Sequence, residues 1–180
     1  MKKVTKQDLL DAKNKTINDV IAPNLNVLFC GINPGLWSGA TGNHFAKSGN
    51  RFWKAIHLAG FTPTLLKPFE EQTLLEFGYG ITNVVARTTA TAAEIERDEY
   101  VTGGANLRNR VLKYEPKILA ILGIGAYRVA FDKPKAVLGL QTETIATTKI
   151  WVLPNPSGLN AHYQLADLAK VYGELRESSL

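Results

Sequence analysis

Two asparagine side chains could take part in chemistry, because each is directly followed by a proline. They are Asn33 in GINPG and Asn155 in LPNPSG. Proline fixes its own φ and holds the preceding residue in an extended conformation, so the backbone sets the direction of each carboxamide. A carboxamide donates and accepts hydrogen bonds but is not a strong base, which fits a site that orients a reactant and stabilises charge. An ordinary turn is the alternative interpretation of each pair.

The glycine-rich stretch around Asn33, VLFCGINPGLWSGATG at 27–42, is predicted to be a loop that leaves a buried strand. A Walker A loop needs a lysine after its glycines, and residues 31–42 contain none. The dinucleotide-binding pattern GxGxxG also fails, because successive glycines are spaced by four, four and three residues. We therefore expect no nucleotide cofactor, and no other cofactor is indicated.

Other reactive side chains lack the partners that their chemistry needs. Ser157 does not lie in a GxSxG motif, because position 155 is asparagine. Cys30 is the only cysteine, and the three histidines, including His44, show neither metal-ligand spacing nor an evident partner. We expect no metal site. Phe45 follows the first loop and is either an ordinary core residue or a stacking surface for a planar ligand.

Alternating strands and helices must position these loops. Continuous apolar runs, typical of strands buried on both faces of a parallel sheet, occur at 25–32, 80–86, 117–123 and 149–154. Helical patterns occur at 50–61, 65–78, 92–114 with a break at Gly103-Gly104, 126–131 and 162–177. This order predicts an α/β layered sheet. Both Asn-Pro loops then follow the carboxyl ends of strands, where such sheets bind ligands.

Length, apolar content and charge limit the class of protein. A chain of 180 residues with 45% apolar residues suffices for one packed core, so we predict a single domain over 1–180, with residues 1–20 as an N-terminal helical extension. The sequence shows neither a signal-peptide run nor an apolar segment long enough for a membrane span, so we expect a cytoplasmic protein. The net charge of +5 favours an anionic partner.

A series of motifs resembles those of the mismatch-specific uracil-DNA glycosylases, the family that includes thymine-DNA glycosylase. In order they are GINPG, TGxxFA, NRFW, GITNVVARTT, Gly103-Gly104, YEPKILAILG and NPSGL. The resemblance covers residues 20–176 and implies a three-layer α/β/α sandwich with a central, mainly parallel four-stranded sheet. It also implies a monomeric, nucleoid-associated enzyme that hydrolyses the N-glycosidic bond of uracil mispaired with guanine in double-stranded DNA. The product would be an abasic site.

The resemblance assigns roles in catalysis and DNA binding to five residues. Asn33 matches the residue that positions the attacking water, and Asn155 matches the second-motif residue beside the flipped nucleotide. Gly158, Leu159 and Asn160 match the wedge that fills the vacated base stack, with Leu159 as the plug. Flipping of the target nucleotide is required because the glycosidic bond is out of reach inside a duplex.

Four further residues match positions of the base pocket, namely Ile32, Gly35, Phe45 and Asn83. Phe45 corresponds to the aromatic ring on which the flipped base stacks. Gly35 stands where uracil-only relatives carry a bulky residue, which implies room for a 5-substituent and makes thymine and 3,N4-ethenocytosine secondary substrates. Asn83 matches the thymine-glycosylase branch, whereas Ala161 replaces an arginine after the wedge, so the preferred lesion stays open. Non-catalytic binding of mismatched DNA and hydrolysis of free nucleosides are the alternative functions.

Overall fold

A computed structural model describes residues 3–179 and contains one mixed β-sheet. Its strands are β1 Val27–Gly31, β2 Tyr79–Asn83, β3 Ile118–Leu122, β4 Gly139–Ile145 and β5 Thr148–Leu153. They lie side by side in the order β2-β1-β3-β5-β4. Neighbours pair in parallel except at one edge, where β4 is antiparallel to β5.

Helices cover both faces of the sheet. They are α1 Lys6–Asp11, α2 Leu36–Thr41, α3 Phe52–Leu58, α4 Arg97–Tyr114, α5 Ile124–Ala130 and α6 Leu165–Ser179, with 3₁₀ segments at Pro68–Phe77 and Ala92–Glu94. The apolar residues of α3 and α6 pack on one face, and those of α4 and α5 pack on the other. The predicted α/β/α sandwich is therefore confirmed.

Successive side chains of the central strands enter two separate buried clusters. In β1, Phe29 contacts Phe52 and Tyr172 on the side of α3 and α6. The preceding residue, Leu28, lies in the cluster that contains Leu107 of α4. Since alternate residues of a strand point to opposite faces, burial of both faces explains the uninterrupted apolar sequence of this strand.

The sheet has five strands instead of the predicted four. The strand that was not predicted, β4, lies at an edge, and residues 139–144 alternate between half-buried and exposed. It forms a hairpin with β5 through a turn in which Ala146 has a φ of 49°. Because solvent reaches one face of β4, this strand lacks the continuous apolar run that marks the other strands.

The predicted glycine-rich loop at 27–42 contains a short helix. Gly35 is the N-cap of α2, and Gly42 ends the helix in the left-handed region with a φ of 76°. The chain therefore leaves β1 through an irregular segment that includes Asn33, and the helix begins one residue after Gly35. Gly42 suits this position because glycine adopts a positive φ without a steric cost.

The Gly103-Gly104 pair lies inside the continuous helix α4, so the predicted break there is wrong. A Cβ atom on Gly103 would lie 2.3 Å from the carbonyl oxygen of Val84, and one on Gly104 would lie 2.2 Å from that of Ala130. Neither position has room for a side chain. The two glycines allow α4 to pack closely against the end of β2 and against α5.

The N-terminal segment, described from residue 3 onward, reaches the edge of the sheet at Val20. Residues 1 and 2 of the predicted extension lie outside the described residues. Helix α1 begins with a capping box, in which the Thr5 hydroxyl accepts a hydrogen bond from the Asp8 N–H. Further on, the Ala12 carbonyl accepts a hydrogen bond from the Thr88 hydroxyl, and Val20 pairs with Ile81 of β2. This pairing covers a strand edge that would otherwise be open.

Candidate active site

A cleft of about 360 Å³ lies at the carboxyl ends of the parallel strands. The segments that follow β1, β2 and β5 supply its walls. The predicted site residues that line it are Ile32, Asn33, Gly35, Phe45, Asn83, Asn155 and Leu159. Gly158 and Asn160 belong to the same loop as Leu159 but do not line the cleft. The fold thus brings the two Asn-Pro loops to one cavity.

The Asn33 carboxamide is held by its nitrogen. Its Nδ2 donates to the carbonyl oxygens of Pro34 at 3.1 Å and Arg87 at 3.0 Å, and to the Thr89 hydroxyl at 2.8 Å. Because carbonyl oxygens only accept hydrogen bonds, the group that faces them must be the NH₂ group. The Thr89 hydroxyl donates to the Thr91 carbonyl at 2.8 Å, so it too accepts from Asn33. Within residues 3–179, Oδ1 has no hydrogen-bond partner and is available to a ligand.

Two residues that sequence reasoning did not identify, Arg87 and Thr89, support Asn33 from the segment after β2. The Thr89 N–H donates to the Pro34 carbonyl at 3.2 Å, which joins the two segments. The Arg87 Nε and Nη2 atoms lie 2.5 and 2.8 Å from the two carboxylate oxygens of Glu99. These hydrogen bonds lower the pKa of Glu99 to about 2. The motif GITNVVARTT marks this segment, but nothing in it indicates a partner in the first loop.

The Asn155 carboxamide is held by its oxygen. Its Oδ1 accepts a hydrogen bond from the Ser157 N–H at 2.9 Å, which closes a tight turn after the strand. The Asn155 backbone carbonyl accepts one from Asn160 Nδ2 at 3.0 Å. In the described part of the chain, Asn155 Nδ2 donates to no partner. The cleft therefore offers an amide oxygen from Asn33 and an amide N–H from Asn155.

Phe45 belongs both to the edge of the core and to the cleft. Its ring stacks on that of Phe52, with 4.1 Å between centroids and an angle of 26° between planes. The residue is half-buried and has a φ of 53°, which is uncommon for a bulky side chain. The two interpretations of Phe45 are thus compatible, because a ring packed on the core also lines the cavity.

Gly35 leaves open space in the cleft wall. A Cβ atom at this position would meet no atom within 4 Å. The backbone has a φ of −79° and a ψ of 170°, which any residue adopts. Neither packing nor backbone geometry requires a glycine here, so the missing side chain leaves volume to a ligand. Ile32, by contrast, packs against the core on the side of α4 and α5.

A buried histidine lies next to Asn83. The His44 side chain has its Nε2 at 3.0 Å from the Asn18 carbonyl oxygen and its Nδ1 at 3.3 Å from Asn83 Nδ2. The expectation that His44 has no partner is therefore wrong. Burial lowers the pKa of His44, although the nearby Glu71 carboxylate acts in the opposite direction. The imidazole is therefore neutral at pH 7.

One guanidinium group holds the loop after β5. The Arg51 side chain donates to four carbonyl oxygens of this loop, those of Pro156, Ser157, Asn160 and Tyr163. At the tip of the loop, the Leu159 side chain is 84% exposed. Exposure of an apolar side chain is unfavourable in water, so a fixed loop with an apolar tip suits insertion into a partner.

The other reactive groups offer no competing site. Among residues 3–179, no group of three His, Cys, Asp or Glu side chains is placed to hold a metal ion. Cys30 is fully buried, and burial raises the pKa of its thiol, which disfavours the nucleophilic thiolate. The same range of residues contains no helix with the length and apolar character of a membrane span.

Comparison with known proteins identifies the fold and the family. The structure is similar to the solution NMR structure of a Methanosarcina acetivorans protein provisionally described as a uracil DNA glycosylase, with a TM-score of 0.59 over 91% of this chain and 98% of that chain. The sequence identity is 16%, so this likeness shows the fold alone. Residues 19–176 match the family model described as the uracil DNA glycosylase superfamily, a range that includes both Asn-Pro loops and the whole cleft except Leu9. The chain therefore belongs to the uracil DNA glycosylase superfamily.

Proposed function

We propose that this protein is a DNA repair glycosylase that hydrolyses the N-glycosidic bond of uracil mispaired with guanine in double-stranded DNA. The observation that carries the proposal is one cleft that holds an oriented amide oxygen, an oriented amide N–H and an aromatic ring beside an exposed leucine. The preference for mismatches is inferred from the motifs GINPG and NPSGL. We also infer that the enzyme acts as a monomer on DNA in the cytoplasm.

The cleft suits an extruded pyrimidine nucleotide. A volume of about 360 Å³ can enclose one base with part of its sugar. We infer that the base stacks on the Phe45 ring and that the Asn83 carboxamide reads its hydrogen-bonding edge. Flipping is less costly at a mismatch than in a Watson–Crick pair, which gives the proposed G·U preference a physical origin.

The proposed reaction is hydrolysis by an oriented water. The water donates a hydrogen bond to Asn33 Oδ1, and its oxygen attacks C1′ of the deoxyribose. The electron pair of the glycosidic bond leaves with the base. An amide is too weak a base to take the proton of the water, which passes to the departing base or to solvent. Since Asn33 supplies orientation and no proton transfer, we expect slow turnover and tight binding of the abasic product.

Asn155 supplies the complementary function in this mechanism. As the glycosidic bond breaks, negative charge develops on the base. The free Nδ2 group of Asn155 is a preorganised donor for this charge, because its Oδ1 is already engaged with the Ser157 N–H. Such fixed donors stabilise a transition state without reorganisation.

The loop after β5 is the proposed DNA wedge. Leu159 would fill the space vacated by the flipped nucleotide, with the backbone of Gly158 and Asn160 toward the unpaired guanine. Gly158 also permits a close approach within the protein, since a Cβ atom there would lie 2.6 Å from the Gly49 carbonyl oxygen. A free nucleoside has no base stack to fill, so this exposed leucine favours a duplex substrate.

The open space at Gly35 extends the proposed substrate range. We infer that residue 35 lies at the C5 edge of the base, where the missing side chain leaves room for a substituent. We therefore propose thymine as a secondary substrate. The family resemblance adds 3,N4-ethenocytosine, whose extra ring joins N3 and N4 and does not depend on the space at C5.

Single-turnover cleavage of a set of duplexes tests this function. The set contains G·U, G·T, A·U and G·ethenocytosine duplexes, single-stranded uracil and a G·C control, each treated with alkali to cut abasic sites. We expect G·U to react fastest and G·C not at all. Equal rates on G·U and A·U would reject the mismatch preference, whereas binding to G·U without release of uracil would indicate a non-catalytic reader. Faster cleavage of free deoxyuridine than of any duplex would indicate a nucleoside hydrolase.

A further inference from the structure

The Asn83 carboxamide lies between a histidine and the ring proposed to carry the base. Its Nδ2 is 3.3 Å from His44 Nδ1. Its Oδ1 lies beside Gly31, where a Cβ atom would come within 2.6 Å of this oxygen and within 3.3 Å of the Phe45 ring. The nitrogen of the amide is therefore on the His44 side, and the oxygen is on the Phe45 side.

A backbone carbonyl determines which nitrogen of His44 carries the proton. The Asn18 carbonyl oxygen is 3.0 Å from Nε2 and can only accept a hydrogen bond. In the neutral imidazole the proton is then on Nε2, and Nδ1 is an acceptor. An acceptor at Nδ1 requires a donor from Asn83, which only the NH₂ group supplies. The Asn18 carbonyl thus sets the tautomer of His44, and this tautomer in turn sets the orientation of the Asn83 amide.

His44 is buried, and hydrogen bonds hold its backbone in place. Its exposed fraction is 2%, and its backbone N–H donates to the Glu71 carboxylate at 2.6 Å. Trp53 Nε1 donates to the His44 carbonyl at 3.2 Å. The charged groups that act on the ring are the carboxylates of Glu71 and Asp19. If the His44 ring turned to follow a change at Asn83, it would lose the hydrogen bond between Nε2 and the Asn18 carbonyl.

We infer that His44 is a positioning residue that holds the Asn83 carboxamide in the orientation that pairs with uracil and rejects cytosine. The inference rests on the proposed function. Uracil presents the N3–H donor beside the O4 acceptor, which matches Oδ1 beside an N–H of Nδ2. Cytosine presents an N3 acceptor beside an amino donor and requires the reversed amide. Reversal would place Oδ1 against the lone pair of His44 Nδ1, and it would leave no donor for that nitrogen.

A pair of fluorinated bases measures this discrimination directly. The bases 5-fluorouracil and 5-fluorocytosine differ in the edge at N3 and C4, and fluorine makes both of them better leaving groups. Opposite guanine they also differ in the cost of flipping, but this difference is the same for every variant of the protein. The test variant is His44→Phe, which keeps a planar ring but removes both ring nitrogens, so that Asn83 Nδ2 has no acceptor on this side. The control is Trp53→Phe, which removes a hydrogen bond to the His44 backbone and keeps the contact with Asn83.

The readout is the ratio of single-turnover rates on the two bases. We expect His44→Phe to lower the 5-fluorouracil to 5-fluorocytosine ratio by about tenfold, the effect of one buried hydrogen bond, and Trp53→Phe to keep the wild-type ratio. An unchanged ratio in His44→Phe, or an equal fall in both variants, would overturn the inference. A structural defect alone would lower both rates together and leave the ratio unchanged.

A measurement on the wild-type protein covers the case in which His44→Phe does not fold. The ¹⁵N shifts of the histidine ring distinguish the two neutral tautomers and the imidazolium. We expect the Nε2–H tautomer of His44 at pH 7, and either the Nδ1–H tautomer or an imidazolium would overturn the inference. If the wild type releases neither base, the proposed function fails, while the ring shifts still decide whether His44 Nδ1 is an acceptor.

Discussion

At Asn33, three acceptors hold the amide nitrogen and leave the oxygen to the cleft. Asn155 shows the reverse arrangement, with its oxygen engaged and its nitrogen available. Each asparagine is therefore oriented by atoms of its own fold before a ligand arrives. Preorganised dipoles of this kind suit a reaction in which charge separates as a bond breaks.

The first prediction concerns the Asn33 amide. We expect Asn33→Ala to lower the single-turnover rate on G·U by about 10²–10³-fold, the usual effect of removing an oriented polar group at the reacting centre. Binding of the mismatched duplex, measured by fluorescence anisotropy, should persist. Thr89→Val is the graded comparison, since it removes one of the three acceptors and should cost about tenfold. An unchanged rate in Asn33→Ala would exclude this residue from the mechanism.

The second prediction concerns the open space at Gly35. Gly35→Ala should unfold at the wild-type temperature, because the added methyl group meets no protein atom within 4 Å. It should slow release of thymine from G·T more than release of uracil from G·U, since only thymine carries a methyl group at C5. Rates on both duplexes, measured beside thermal unfolding, check the expectation. Equal slowing of the two substrates would show that residue 35 does not lie at the C5 edge.

At the scale of elements, loops from three strands meet above the sheet, and each is braced by a distant partner. Arg51 holds the loop after β5 through four carbonyl oxygens. The ion pair of Arg87 with Glu99 connects the segment after β2 to helix α4. These contacts hold the segments after β2 and β5 in place at the cleft.

A third prediction tests the wedge as an element. Leu159→Ala should slow release of uracil from a G·U duplex far more than from single-stranded DNA, because only the duplex has a base stack to fill. Leu140→Ala is the matched control, since this leucine is also exposed but lies on the edge strand β4. Equal losses on duplex and single strand would contradict the wedge assignment, as would an equal loss in Leu140→Ala.

The fourth prediction uses the Arg87–Glu99 ion pair. The pKa of Glu99 is lowered from 4.5 to about 2, so the unfolded chain binds this proton more readily than the native protein does. The stabilisation by the ion pair is therefore complete above about pH 4.5 and is lost as the pH falls toward 2. The difference in unfolding free energy between wild type and Glu99→Gln, measured with urea, should shrink over this range. If the difference in unfolding free energy between the two proteins stays constant with pH, the Arg87–Glu99 ion pair does not stabilise the native protein as expected.

At the scale of the whole molecule, the sequence predicted the parts of the fold that depend on burial of both faces of a strand. The runs around β1, β2, β3 and β5 are mainly apolar, which marks them as buried strands of a parallel sheet. Their order in the sheet was not predicted, since parallel connections allow several orders. The edge strand β4 was not predicted, because one of its faces is solvated. The role of the two glycines in α4 was predicted wrongly. It depends on close contact with Val84 and Ala130, which exists only in the folded molecule.

The sequence predicted the positions of the two asparagines in the site but not the hydrogen bonds that orient them. Each Asn-Pro pair follows a strand, so the meeting of Asn33 and Asn155 at one edge of the sheet could be expected. Their hydrogen-bond partners could not, since Thr89 lies 56 residues beyond Asn33. His44 is a similar case, because its contact with Asn83 exists only after residues 39 positions apart have come together.

Release of uracil from a G·U oligonucleotide by excess enzyme tests whether the protein is a DNA glycosylase. We expect free uracil and an alkali-labile site in the uracil strand within a single turnover, with no cleavage of a G·C duplex. The Asn33→Ala protein should bind the same duplex and release far less uracil. No uracil above background from the wild-type protein, despite binding of the mismatched duplex, would show that it is not a glycosylase.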